Sequence, residues 1–172
     1  MDTDNGSSDR KGFPHGEFEA PFSSARTSAF VELHEMLSEY WARVDRLSNK
    51  SVAEMYTSDG EMLIGSLHKT GSQQISEFFA ERNRSEQQIG RNTRHVFSNM
   101  RIEWISTSRV IVLSLVIAYA AIGEFPLAAP TAPATIADFT DVCTRDSSGN
   151  WKIESKTARI LLTGDGAAKF VR

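Results

Sequence analysis

The sequence predicts an α+β protein in which a strongly curved antiparallel sheet wraps around N-terminal helices, forming a cone-shaped α+β barrel. Helical periodicity dominates the chain from Thr27 to about Ser85. Four long strand-like segments separated by turn sequences then follow, from His95 to Leu162. Antiparallel strands that follow helices need an apolar layer over one face, and the helices supply it. We expect the concave side of this sheet to form a pocket.

Composition narrows the function classes. The chain has 172 residues, of which 40% are hydrophobic, enough for one domain with its own core. We predict a disordered tail over residues 1–26, a single domain over 27–165 and a short C-terminal tail over 166–172. A formal net charge of −3 offers no basic excess for nucleic acid. No signal peptide or membrane-spanning run is recognisable, so we expect a cytoplasmic protein.

Metal and cofactor chemistry find no support in the sequence. The chain has one cysteine, Cys143, which excludes an internal disulfide. Its four histidines are scattered without the spacing of a metal site. We therefore expect neither a metal ion nor an organic cofactor.

The helical half begins with an amphipathic helix from Thr27. Its apolar stripe comprises Phe30, Leu33, Leu37, Tyr40, Trp41 and Val44. A short second helix is predicted over Ser51–Tyr56 and a third from about Ser72 to Ser85. Between them we expect a turn over residues 57–60, a short strand over 61–66, and a second turn at residues 70–71.

The strand half has four predicted strands, with bounds His95–Ile105, Arg109–Ile122, Thr135–Thr144 and Trp151–Leu162. Turn sequences at residues 106–108 and 146–150 join the outer pairs. The loop Glu124–Ala134 contains three prolines. It fits either a cover over the pocket or an ordinary connection between strands.

The stretch Arg91–Glu103 carries the candidate chemistry. Strand alternation places His95, Phe97 and Asn99 on one face, and Arg94, Val96 and Ser98 on the other. Asp45 ends the first helix, where a carboxylate opposes the helix dipole and lies near the buried stripe, so it needs a partner. We predict that this partner is His95. A carboxylate on one imidazole nitrogen fixes the tautomer and makes the other nitrogen the better base.

Five motifs, together with the order of elements, resemble the SnoaL-like branch of the nuclear transport factor 2-like superfamily. They read Y-W-A-R-V-D, M-Y-T-S-D-G-E, G-S-Q-Q-I-S-E-F-F, T-R-H-V-F-S-N-M-R-I-E and D-V-C-T-R-D-S-S-G-N-W-K-I. The resemblance covers about Ala29–Leu162 and implies the curved α+β fold and a homodimer. Because this fold hosts enzymes and binding domains alike, the resemblance is specific for fold and weak for function.

Residue by residue, the resemblance places the Asp–His dyad of scytalone dehydratase-like enzymes on Asp45 and His95. Tyr40 matches a tyrosine found five residues before the aspartate in bile-acid dehydratase-like members. The second histidine of scytalone dehydratase is missing from the 110–123 strand, which offers only Tyr119. The general-base carboxylate of ketosteroid isomerase is also missing, although its oxyanion-hole acid aligns roughly with Asp141.

We therefore predict His95, Asp45 and Tyr40 as catalytic residues. The predicted substrate contacts are Trp41, Phe97, Tyr119 and Asp141. The expected activity is that of a cofactor-free dehydratase, isomerase or cyclase of secondary metabolism, acting on a small apolar carbonyl compound such as a polyketide- or steroid-like metabolite. The alternatives are a non-catalytic small-molecule-binding or dimerisation domain of the same fold, and an auxiliary subunit of an oxygenase.

Overall fold

The computed structural model describes residues 23–171, and the α+β class is confirmed. Two helices, α1 and α2, and six strands, β1 to β6, make up the fold. In chain order these are α1 (Ser23–Val44), β1 (Tyr56–Ile64), β2 (Leu67–Thr70), α2 (Gly71–Gln88), β3 (Arg91–Ser106), β4 (Arg109–Ile122), β5 (Thr135–Arg145) and β6 (Trp151–Thr163). Short 3-10 turns occupy Val52–Met55 and Lys169–Val171. No helix in the described range is long and apolar enough to cross a membrane.

The six strands form one sheet in the order β2-β1-β6-β5-β4-β3. The strands β3 to β6 pair antiparallel with their sequence neighbours, as expected. Strands β1 and β6 run parallel to each other, so the sheet is mixed and not entirely antiparallel as predicted. These two strands are far apart in the chain, so no hairpin joins them and forces them to run antiparallel.

Helix α1 packs its apolar stripe against the sheet, with one change from the predicted set. Leu33, Leu37 and Tyr40 are almost fully buried, but Phe30 is 43% exposed. Ala29 occupies the buried position instead. Spacings of four, four and three from Ala29 follow the helical repeat more closely than a start at Phe30, so the prediction for Phe30 was wrong.

The segment 57–60, predicted as a turn, lies inside β1. Its polar residues form an irregularity, because the pairing with β6 shifts between Tyr56 and Glu61. A Cβ on Gly60 would come within 3.0 Å of the Tyr56 Cβ, so the glycine permits close packing rather than a chain reversal. Composition alone does not separate a bulge from a turn, since both favour the same residues.

Strand β3 begins at Arg91, four residues before the predicted start. Alternation holds as far as Ser98, after which Asn99 has a φ of 54° and the pairing with β4 shifts. Asn99 is consequently exposed and does not share the face of His95, so that part of the prediction was wrong. The bulge reverses the alternation, and Met100, Ile102 and Trp104 pack towards the core.

Residues at the C-terminal end pack back onto the domain. The backbone amide of Ser66 donates a hydrogen bond to the Phe170 carbonyl at 2.8 Å. The Phe170 ring lies edge-on to Phe78 of α2, with centroids 5.7 Å apart. Residues 168–171 therefore help to enclose the interior between α2 and the sheet. Residues 1–22, most of the predicted N-terminal tail, lie outside the described range.

Candidate active site

A cavity lies between the two helices and the sheet. Its empty space is about 770 Å³, a figure that includes solvent at the open mouth. Its apolar wall includes Trp41, Met62, Phe79, Val116, Phe139 and Phe170. His95, Tyr40 and Tyr119 line the same cavity, so together with Trp41 four of the predicted site residues line it.

Asp45 and His95 are in direct contact through two hydrogen bonds. The imidazole Nδ1 lies 2.6 Å from the Asp45 Oδ1, and the backbone amide of His95 donates to Oδ2 at 2.7 Å. The Thr93 hydroxyl donates to Oδ1 at 2.8 Å. Because Asp45 occupies Nδ1, Nε2 is the ring nitrogen left for a ligand, and the ring lines the cavity.

The surroundings of Asp45 favour its ionised form. Its side chain is only 4% exposed, and burial raises the pKa of the carboxyl. Hydrogen bonds from the His95 ring and backbone and from Thr93, with the charge of His95, outweigh burial and hold the pKa below its ordinary value. An ionised Asp45 orients the imidazole and stabilises the charge that the ring acquires when it accepts a proton.

Tyr40 brings a buried phenol to the cavity wall. Its hydroxyl is 3.2 Å from the Tyr56 hydroxyl, and the residue is 1% exposed. Burial raises the pKa of Tyr40, and the hydrogen bond with Tyr56 only partly opposes this. Tyr40 therefore remains a neutral phenol that can donate one hydrogen bond.

Trp41 and Tyr119 hold different positions around the dyad. The indole of Trp41 stacks on the His95 ring, with centroids 4.6 Å apart and planes inclined by 17°. Tyr119, on β4, is 39% exposed and lines both the cavity and a neighbouring groove. The loop of residues 124–134 contributes Phe125 and Leu127 to that groove. The loop thus lies beside the cavity, and its role as a cover stays a prediction.

Two predicted substrate contacts lie elsewhere. Phe97, two residues after His95 on β3, does not line the cavity. Its ring packs instead against His34 of α1, with ring centroids 5.0 Å apart. Asp141 is fully buried and 2.5 Å from the Lys156 Nζ. That ammonium group lies 4.3 Å from the centre of the Tyr40 ring. Asp141 is therefore enclosed behind the aromatic wall, and neither Phe97 nor Asp141 lines the cavity.

The protonation of Asp141 is governed by burial. Burial raises the pKa of its carboxyl, and the charge and hydrogen bond of Lys156 oppose the rise only in part. One carboxyl oxygen, Oδ1, has no hydrogen-bond partner among the described residues. The other oxygen, Oδ2, accepts the hydrogen bond from Lys156, and this contact ties β5 to β6 inside the core.

A group of charged residues at one end of the cavity was not predicted. Arg82 and Glu86 of α2, Arg91 of β3 and the buried Thr93 all line it. For Arg82 and Glu86, the sequence pattern that could have revealed them is their helical spacing in α2. Arg82 and Glu86 follow Ile75 and Phe79 on the same face, so they extend an apolar stripe with charges. Charged residues on a buried face are rare unless they are paired, and this pattern marks a polar end of the interior.

The described residues offer no set of side chains for binding a metal ion. Across residues 23–171, no three His, Cys, Asp or Glu side chains are close enough together to hold a metal ion.

Comparison with solved structures supports the fold. A candidate scytalone dehydratase from Novosphingobium aromaticivorans is 19% identical, with 87% of this chain and 95% of that chain covered at a TM-score of 0.70. ActVI-ORFA from Streptomyces coelicolor is 17% identical, with 78% and 96% covered at a TM-score of 0.66. The hexachlorocyclohexane dehydrochlorinase LinA-type3 from Novosphingobium barchaimii is 18% identical, with 83% and 93% covered at a TM-score of 0.65. At such identities the likeness shows the fold alone.

Family membership rests on a separate comparison. None of the curated proteins compared matches the sequence significantly. The family model of the SnoaL-like domain matches residues 25–157, which include nearly all of α1, the whole of α2 and the whole of β1 to β5. The chain therefore belongs to the SnoaL-like domain family, within the nuclear transport factor 2-like superfamily.

Proposed function

We propose that the protein is a cofactor-free acid–base enzyme that removes a proton next to the carbonyl group of a small, largely apolar compound. One observation carries the proposal: the His95 ring lines an apolar cavity while its Nδ1 lies 2.6 Å from an ionised Asp45. A general base needs a free nitrogen that faces the substrate and a fixed partner on the other nitrogen.

The reaction follows from these positions. The Nε2 of His95 takes the proton α to the carbonyl, and the C–H electron pair becomes the enolate. The Tyr40 phenol, neutral because burial raises its pKa, donates a hydrogen bond to the enolate oxygen. If the β-carbon carries a hydroxyl, the enolate expels it, and the imidazolium returns its proton to form water. Without that leaving group, an enolate conjugated with a second double bond takes the proton back at its far carbon, which completes an isomerisation. Alternatively, the enolate carbon attacks a second carbonyl and the resulting alkoxide takes the proton from the imidazolium, which completes a cyclisation.

The names of two proteins with the same fold support this direction. A candidate scytalone dehydratase and a hexachlorocyclohexane dehydrochlorinase are both named for eliminations. Elimination and isomerisation share one first step, the loss of a proton from carbon. We therefore propose the shared step for this chain and leave the second step open among dehydration, isomerisation and cyclisation.

Deuterium exchange tests the shared step without a known substrate. The full chain is incubated with 2-tetralone, an apolar ketone with acidic α-protons, in deuterated buffer, and exchange is followed by proton NMR. We expect the wild-type protein to accelerate exchange, and His95→Asn to lower the acceleration by about 10²- to 10⁴-fold. Asp45→Asn should lower it similarly, because the amide does not fix the imidazole in the same tautomer.

His68→Asn is the matched control. His68 lies on β2, its ring bonds only to Thr70 among the described residues, and it does not line the cavity. Its replacement should leave exchange unchanged. Equal rates for wild-type protein and His95→Asn would contradict the proposal and favour a non-catalytic binding domain.

We also propose a cytoplasmic homodimer. Val96 points away from the His95 face and is 53% exposed, so it is a position on the sheet surface at which such an interface can be tested. Light scattering coupled to gel filtration would measure the mass in solution. Val96→Lys should shift that mass towards a monomer, and a monomeric mass for the wild-type protein would contradict the dimer.

A further inference from the structure

The polar end of the cavity contains three arginines arranged around one carboxylate. Glu86 lies 2.6 Å from Arg46, 3.2 Å from Arg82 and 3.3 Å from Arg91, each measured between charged atoms. All four side chains are at most 17% exposed. Arg82, Glu86 and Arg91 line the cavity that contains His95. These four residues are termed the arginine cluster.

The arginine cluster has more positive than negative charge. Three guanidinium groups share Glu86, and the next carboxylate that acts on Arg82 is Asp45, which His95 and Thr93 already bind. The three arginines and Glu86 together carry a formal charge of +2, and Asp45 reduces the formal charge around Arg82 to +1. An unbalanced charge in an apolar site is costly, and a bound anion would remove that cost.

Arg82 is the member best placed to meet a ligand. Its Nη1 donates to the Val44 carbonyl at 2.8 Å, and its Nη2 donates to the Thr93 hydroxyl at 3.3 Å. Each terminal nitrogen carries two N–H groups, and the second of each has no hydrogen-bond partner in the described part of the chain. Two N–H groups in one plane match the two oxygens of a carboxylate.

We infer that the arginine cluster is a carboxylate-binding subsite, and that the protein takes apolar carbonyl compounds that carry a carboxylate, with Arg82 as its principal ligand. The inference deepens the proposed function, on which it rests for the reaction but not for binding. The acid group would lie at Arg82, the apolar body against residues such as Phe79 and Phe139, and the reacting carbon at His95.

Hydrogen bonds also link the subsite to the dyad. Arg82 donates to the Thr93 hydroxyl, and that hydroxyl donates to Asp45, which holds His95. Arg82, which would bind the ligand, is therefore connected to His95 through Thr93 and Asp45. The arrangement fixes the position of the acid relative to the base, and it selects for chain length between the carboxylate and the acidic carbon.

Binding of two unreactive probes tests the inference. The full chain is titrated calorimetrically with 2-naphthoate and with 2-naphthamide, which has almost the same shape and no charge. We expect the carboxylate to bind roughly tenfold to a hundredfold more tightly, as for one charge-assisted hydrogen-bonded pair. Equal affinities, or binding of neither probe, would overturn the inference.

Two variants then locate the preference. Arg82→Gln should weaken 2-naphthoate binding to the level of 2-naphthamide, while Arg84→Gln should leave both affinities unchanged. Arg84 lies on the same helix, but its side chain is 64% exposed and pairs with Glu81. A preference that survives in Arg82→Gln would overturn the assignment to Arg82.

A measurement on the wild-type protein covers the case in which Arg82→Gln does not fold. In protein labelled with ¹⁵N-arginine, the Nε–H signal of a buried arginine should shift with 2-naphthoate and not with 2-naphthamide. The absence of such a shift would overturn the inference.

The subsite and the proposed reaction fail in different ways. The reaction test uses a neutral ketone and reports on His95, whereas the binding test uses unreactive probes and reports on Arg82. His95→Asn should retain the preference for 2-naphthoate. If Arg82→Gln instead abolishes exchange of 2-tetralone while the preference for acid persists, Arg82 acts on the enolate and the carboxylate subsite is refuted.

Discussion

The imidazole of His95 lies against the indole of Trp41, with ring centroids 4.6 Å apart and planes inclined by 17°. Asp45 holds one edge of the same ring through Nδ1. Stacking fixes the plane of the imidazole, and the hydrogen bond fixes its rotation within that plane. Trp41 in α1 and Asp45 directly after its last residue thus determine the direction in which Nε2 points.

Removal of the indole should misplace the base without removing it. We expect Trp41→Leu to lower 2-tetralone exchange by about 10- to 100-fold, because small displacements of a catalytic group cost rates of that order. Trp41→Phe keeps a flat ring and should lose less. Deuterium exchange of the two variants, normalised to folded protein by circular dichroism, measures the effect. Equal rates in both variants would show that stacking does not orient His95.

The lowered pKa of Asp45 predicts how stability changes with pH. A carboxyl whose pKa is lower in the folded state stabilises the fold above its ordinary value of 3.8, and this contribution disappears as the pH falls through the folded-state value. Asp45→Asn should lower the free energy of unfolding by about 1–3 kcal/mol at neutral pH. Urea unfolding should show this difference shrinking below the ordinary value. Asp59→Asn, on an exposed residue, is the control, and a difference independent of pH would contradict the prediction.

The buried pair of Lys156 and Asp141 should be far more sensitive to the loss of one partner than of both. Asp141→Asn leaves an ammonium group 1% exposed without its carboxylate, and we expect a loss of about 3–5 kcal/mol. Replacement of both residues, Asp141→Leu with Lys156→Met, should cost less. Urea unfolding of these variants, of Asp141→Leu alone and of Lys156→Met alone completes a double-mutant comparison. Additive losses would mean that the two side chains act independently.

Gly65 controls the attachment of the C-terminal residues. A Cβ at this position would lie 2.1 Å from the Phe170 carbonyl oxygen, and the backbone φ is +59°. We expect Gly65→Ala to displace Lys169–Val171 and to expose the Ser66 amide, which bonds to that carbonyl. Amide hydrogen exchange at Ser66 measures the change.

A second glycine separates crowding from backbone strain. Gly149 has a φ of +83°, and a Cβ added there would meet no atom within 4 Å, so Gly149→Ala carries only the backbone strain, about 1–2 kcal/mol. Ser66 should stay protected in that variant. Loss of protection in both variants would assign the effect to general destabilisation.

Sequence patterns predicted the regular parts of the fold and the contact between the dyad residues. The limits of β4 follow from an unbroken run of strand-forming residues between two turns, and both were confirmed at Arg109 and Ile122. Asp45 needed a partner because a carboxylate at that helix end is poorly placed, and the structure brings it to His95. The catalytic role of this contact stays a prediction.

The missed features depend on tertiary structure. The bulge at Asn99 requires a left-handed residue that carries no glycine signal. Arg46, Glu86 and Arg91 come from three separate segments, so their meeting is invisible to any local pattern. Asp141 was selected through the resemblance alone, and burial beside Lys156 removes it from the cavity.

The parallel ladder between β1 and β6 sets an order of assembly. Tyr56 pairs with Ile153, so this ladder forms only after a loop containing β2 to β5 has closed. The hairpins of β3 to β6 join near neighbours and need no such closure. In pulse-labelled hydrogen exchange we expect amides of β4 and β5 to become protected before those of β1. Since Met62 of β1 and Val116 of β4 both form parts of the wall, the site would be among the last regions of the molecule to mature during refolding.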